Sequence, residues 1–391
     1  MKDKKPRIYL KRVTPETILD DYQDLMHQAK YQDHFSKAED LIVKLNLSWS
    51  KFFPSCSSPP WQVEGVLRTL KQDGYSGQKI FTAENRTVVT NIAKGLKGNK
   101  WGPIITKYNV FFVPLTRVEF VPFKPEKPLR VLDSKVFPHG FSIPKMYIGK
   151  NIMHLPTFKT HGHTGAEGGD FKEEQAEGGI TCAMKNAFGG LLTKRRHFSH
   201  QFMSEVLVDL LQIQQQIHPN IMAIVDGTVA GDGAGPRCML PKIKNVIMAG
   251  YDQVAVDAVA AKIMGFDPLS LPFIKIAHDE GLGCGDFDQI EFVDEDGIAE
   301  ENWGFEVKRS IVIWGDQQVR KGKLKILEPL LHTKLMRVPI LFSLLYHDMF
   351  WYPTIGKMRI KEYMKTEWGK IFQSYPEKYP KGKQINRLEP E

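Results

Sequence analysis

The chain lacks any CxxC pair. Its four cysteines, Cys56, Cys182, Cys238 and Cys284, are scattered over 391 residues, which argues against a disulfide scaffold and against a local zinc or iron–sulfur cassette. It also lacks an uninterrupted apolar run of the ~20 residues that a bilayer-spanning helix requires, so no transmembrane helix is expected. The first residues are charged and carry no signal-peptide pattern. A reducing cytoplasm is therefore the expected compartment. Neither a Walker-type phosphate loop nor a GxGxxG dinucleotide fingerprint occurs, and no nucleic-acid motif stands out, so no specific nucleic-acid partner is expected.

What the sequence does contain is an ordinary globular composition with a basic excess. A hydrophobic content of 42% allows a sizeable core, and a net charge of +8 favours anionic partners such as phosphates, carboxylates or acidic lipid headgroups. Between residues 40 and 293, β-like apolar runs (40–47, 79–83, 146–155, 221–225, 246–249) alternate with helical patterns (58–70, 88–96, 199–217, 253–264). That alternation predicts an α/β fold: a mostly parallel, Rossmann-like layered sheet with helices on both faces. Residues 1–39 read as a helical lead-in, 40–319 as the α/β domain, and 320–391 as an aromatic and basic C-terminal extension. Within the extension, residues 338–352 (VPILFSLLYHDMFWY) are intensely apolar, with Lys334, Arg337, Lys357, Arg359 and Lys361 flanking them. Such a segment either docks on the domain or makes a peripheral membrane contact through 338–361. Residues 307–314 read as a further strand.

In an open α/β sheet, ligands bind beyond the carboxyl ends of the strands. The most informative loop there is 155–190, where glycines accompany His161, His163, Lys159, Lys185 and Asn186. Glycine lets backbone approach a ligand closely. The two histidines suit proton transfer or metal ligation, and the lysines suit an anion. A second cluster joins Asp226 to the glycine loop Asp232, Gly233 and Gly235, a place for a metal, a hydroxyl or a general base, or else plain turn chemistry. His161, His163 and Asp226 are the candidate metal ligands. Asp252 reads as the N-cap of 253–264, and as a contributor to substrate binding if that turn reaches the site. Asp257, inside an apolar helix, needs a partner, with Lys159 and Lys185 as candidates. All four cysteines fall near these loops, which leaves a spatially assembled site conceivable.

The ordered set Lys159–His161 (KTH), 183–189 (AMKNAFG), 225–227 (VDG), 233–236 (GAGP), 249–265 (AGYDQVAVDAVAAKIMG) and 281–283 (GLG) resembles domain of unknown function family 362, over about residues 41–293. The resemblance implies a domain more than a reaction. Association of such domains with ferredoxin-like modules implies an external iron–sulfur electron donor for some, and this chain departs from that pattern in having no clustered cysteines. Residues 165–179 look like an enlarged loop, read as a lid.

The function expected from these residues is that of an enzyme on a small phosphorylated or carboxylated metabolite, with oxidoreductase and isomerase as the reaction classes considered. Lys159, Lys185 and Asn186 would position the anion, His161 or His163 would move a proton, and Asp226 or Asp232 would orient a histidine or hold a divalent metal. A metal- or cluster-carrying module without turnover, and a membrane-surface protein, are the alternatives.

Overall fold

Short apolar runs that end in a polar residue lie side by side as the centre of one sheet. The computed structural model describes residues 5–87, 89–164, 179–192, 196–378 and 386–387. In chain order its strands are β1 (Arg7–Arg12), β2 (Leu41–Lys44), β3 (Ile80–Glu84), β4 (Phe111–Pro114), β5 (Phe120–Phe123), β6 (Phe141–Pro144), β7 (Asn151–His154), β8 (Thr157–Thr160), β9 (Ile180–Thr181), β10 (Ile221–Ala234), β11 (Cys238–Gly250), β12 (Glu291–Asp294) and β13 (Asn386–Arg387). The main sheet runs β12-β1-β11-β10-β7-β2-β3-β4-β13, with β8 alongside β10 and β9 alongside β8, while β5 and β6 form a separate pair. From β10 through β7, β2, β3, β4 and β13 all neighbours are parallel, whereas β11 is antiparallel to both β10 and β1. The fold is α/β with a mostly parallel, mixed sheet.

Successive side chains of a strand face opposite layers, and the core divides accordingly. Val43 and Ile224 pack with helices Ile18–Gln28 and Pro60–Gln72. Ile42 and Val225 pack on the other face with helices Met203–Ile217 and Gln253–Met264. Asp252 caps the last of these, accepting from the Val254 and Ala255 amides, and Gly265 closes it at φ +104°, a conformation that favours glycine.

Three expectations are corrected. Residues 226–234 are not a loop but the outer half of β10, which forms a long hairpin with β11. Close packing accounts for two of the glycines there and beside the tip, since a Cβ on Gly231 would run into Met239 Sδ and one on Gly235 into the Thr160 carbonyl, while Gly233 takes a positive φ of +89°. Residues 307–314 do not form a strand, since Ser310 caps a helix over Ile311–Arg320. Loop 155–190 holds β8, β9 and the short helices Ala183–Asn186 and Phe188–Leu191. The expected lid falls almost wholly in 165–178, outside the described residues.

The C-terminal extension docks on the domain. Trp351 packs with Trp49 and Phe53, and Trp368 and Phe372 join the layer of Val43. Trp49 Nε1 donates to Asp348 at 2.6 Å, and Arg359 donates to the Met239 carbonyl at 2.6 Å. Among the described residues no helix is long and apolar enough to cross a membrane.

Candidate functional site

Where β2, β3 and β8 end, their carboxyl termini open into a cavity of about 1610 Å³. Its floor is polar. Lys44 ends β2 and Glu84 ends β3, and the two form a buried ion pair at 2.9 and 3.0 Å. Beyond β8 the chain turns through His161 and His163, both lining the cavity. Hydrogen bonds fix this turn: the His161 amide donates to the Gly179 carbonyl at 2.8 Å, Thr164 Oγ1 donates to the Ile180 carbonyl at 2.6 Å, and Gln317 Nε2 donates to the Gly162 carbonyl at 2.8 Å.

The helix Ala183–Asn186 brings Lys185 and Asn186 to the same space. Asp257 positions that helix, its carboxylate accepting from the Ala183 amide at 2.6 Å and the Met184 amide at 3.1 Å. Asp257 therefore pairs with a helix N-terminus and with neither lysine, and burial raises it to about 7 against those two bonds. Lys185 Nζ lies 4.7 Å from the Phe188 ring centre, and among the described residues it has no hydrogen-bond partner. Burial, reinforced by Arg196 and Lys159, lowers it to about 7. Arg237, in the turn at the hairpin tip, also lines the cavity. Its Nη2 reaches Ser343 Oγ at 3.4 Å, and its buried Nη1 has no partner among the described residues. Arg196 completes the cationic set; among the described residues its guanidinium donates to the Gly189 and Arg86 carbonyls.

Facing these cations is a cluster of His163, His200 and Asp316, whose ligand-capable atoms lie within 4.8 Å of one another. Asp316 Oδ2 is 3.5 Å from His200 Nδ1 and 4.0 Å from His163 Nε2, while Arg320 Nε donates to both carboxylate oxygens at 2.9 and 3.0 Å. Burial tends to raise Asp316, but the His200 bond and the charges of His200, Arg320 and His163 overcome it and hold the carboxyl well below its usual range. Burial pushes His163 down to about 3 and His161 well below its ordinary value. Neutral imidazoles beside a carboxylate can accept a proton or coordinate a divalent cation.

The structure brings His161, His163, Lys185, Asn186 and Gly235 to one cavity and leaves the other expected residues outside it. Asp226 points into the opposite layer, where it accepts from Tyr22 Oη at 2.7 Å, Trp61 Nε1 at 3.0 Å and Thr228. Among the described residues it meets no imidazole there, so it does not orient His161 or His163. Lys159 lies beneath the floor and spends its ammonium on Asn46 Oδ1, the Cys56 carbonyl and Thr157 Oγ1 at 2.6, 3.0 and 2.8 Å. Asp232 accepts from the Glu306 amide, the Gly233 carbonyl accepts from the Lys308 amide, and Asp252 is spent on its cap and the Cys284 amide. The cysteines do not converge: Cys56 and Cys238 pack beside Trp49, Cys182 lies by Asp257, and Cys284 lies by Asp252.

Asp226→Ala is accordingly expected to lower stability by about 3 kcal/mol, because it orphans several buried donors, while leaving anion affinity at the cavity unchanged. Urea unfolding and calorimetry check the two halves separately.

The sequence reading missed His200, Asp316, Arg237 and the Lys44–Glu84 pair. Some signals were available: a charged residue ending each of two apolar strands, and Asp316 and Arg320 spaced as i and i+4.

The family model for Domain of unknown function (DUF362) matches residues 41–262. The chain belongs to that family. The match spans the strands and loops that carry Lys44, Glu84, His161, His163, Lys185, His200 and Arg237. Asp316 lies beyond it. Comparison with curated proteins and with solved structures gives no match.

Proposed function

We propose that this DUF362 chain is an enzyme acting on an anionic metabolite, with His163, His200 and Asp316 as its reactive centre. One observation carries the proposal. The Lys185 ammonium and an edge of the Arg237 guanidinium, both without partners among the described residues, face the same cavity as a carboxylate-backed imidazole pair. Half-buried cations with unused donors in a cavity favour a ligand that brings negative charge. The anion settles on Lys185, Arg237 and Arg196, and the imidazoles then move a proton to or from the bound molecule, with Asp316 fixing His200. A metal-assisted form is favoured by the ligand spacing: two imidazoles and a carboxylate make a three-ligand set with an open side toward the cavity.

Turnover of a panel of phosphate- and carboxylate-bearing compounds, followed by NMR, tests this. Wild type is expected to convert at least one of them, and His200→Ala to bind that compound while turning it over at least about a hundredfold more slowly. Binding without conversion of any compound by wild type would mark a carrier. Zinc titration against a chromophoric chelator separates the two chemical forms: binding by wild type that Asp316→Asn removes assigns the metal-assisted one.

A further inference from the structure

The cavity has two unlike walls. Opposite the cationic floor stands a roof built from helix Ile311–Arg320 and the turns and helices that follow, and it presents Leu327, Leu331, Leu335, Ile340 and Phe342 inward. A small, fully hydrated anion has no use for such a wall. The roof is also apolar on its outer side, where Ile326, Leu341, Met349, Phe350 and Met358 stand 57–86% exposed. Leu335, Val338 and Phe342 belong to both surfaces: they line the cavity and are about half exposed or more, at 53%, 64% and 48%. At these three residues apolar surface reaches from the outside into the cavity. Exposed Lys325, Lys334, Arg337, Lys357 and Lys361 lie along the same segments.

We propose that the ligand is an amphiphile with an anionic head and an apolar chain, and that the outer face of the roof rests on an acidic lipid bilayer from which this ligand is drawn. This rests on the anion site of the preceding section. The head meets Lys185 and Arg237, and the chain lies along Leu331 and Ile340. The mouth residues Leu335, Val338 and Phe342 let the chain pass from bilayer to cavity without crossing polar surface. The bilayer is chosen over another occupant of the apolar face because the cations beside that face match acidic headgroups, and because the face continues into a ligand cavity.

Two measurements on the full chain test the proposal. Calorimetry compares decyl phosphate, below its micellar concentration, with inorganic phosphate. Decyl phosphate is expected to bind at least about tenfold tighter, the gain from burying roughly two methylenes. Ile340→Asn, which brings polarity without charge to the chain wall, is expected to cut that advantage while phosphate affinity changes less than decyl phosphate affinity. Equal affinities in wild type would overturn the amphiphile while sparing the anion site. Binding of neither compound would instead count against the preceding section. Flotation with vesicles of phosphatidylcholine, alone or mixed with phosphatidylglycerol, tests the face. Wild type is expected to float only with the acidic vesicles, and M349E/F350E, whose thermal unfolding should match wild type, is expected to stay behind. Flotation undiminished in that variant overturns the assigned face. Absence of flotation, with light scattering showing a dimer that the variant loses, replaces the bilayer with a second copy of the chain.

Discussion

Lys44→Met is expected to destabilise the protein by about 3–5 kcal/mol, the cost of leaving a buried charge without its partner. The side chains of Lys44 and Glu84 are only 1% and 3% exposed, and they close the floor of the cavity. Burial drives Lys44 down and Glu84 up, and each is opposed by the charge of the other. Remove Lys44 and the carboxylate keeps, among the described residues, the hydrogen bond from the Asn85 amide at 2.8 Å and the more distant charge of Arg196. K44M/E84L should recover most of the loss, since it leaves neither charge stranded, with about 1 kcal/mol outstanding for that amide bond. Urea unfolding of the two single variants and the double variant measures the coupling. A double variant as unstable as K44M plus E84L added together would show that the two residues do not act as a pair.

Sulfate affinity is expected to fall about tenfold per pH unit above pH 7, as the Lys185 ammonium is lost. The sign follows from the direction of the shift. Lys185 is lowered from 10.5 to about 7, chiefly by burial and then by Arg196 and Lys159. It is therefore charged below pH 7 and neutral above. Sulfate keeps its charge across this range, which makes it a cleaner probe than phosphate. His161 and His163 are held far enough down to be neutral throughout the window. Lys185→Met should bind sulfate about a hundredfold more weakly at pH 6 and show a flat profile above it. A slope unchanged in that variant would place the titrating group elsewhere.

Local pattern revealed the sheet better than it revealed the site. The apolar runs of β2, β3 and β7 and the capped helix Gln253–Met264 were readable because burial and capping leave periodic marks. The turn carrying His161 and His163 was readable because glycine and imidazole share it. Asp226 misled because Asp-Gly so often closes a strand, whereas here Gly227 continues it past a bulge, with Phe158 packed where a Cβ would sit. Residues 307–314 misled because β-branched residues crowd their end, and the cap at Ser310 outweighs that preference. His200 and Asp316 carry no mutual signal in the sequence. They meet only because helix Ile311–Arg320 folds back over the strand ends, and no local pattern encodes that return.

The roof, and Asp316 with it, is made after the strands β2, β3 and β8 whose ends carry the floor. A nascent protein would already hold its cationic floor while His163 and His200 lacked the Asp316 carboxylate. The same arrangement exposes that unshielded positive floor for as long as the remainder is being made, the interval in which a chaperone or an anionic ligand would have most effect on yield.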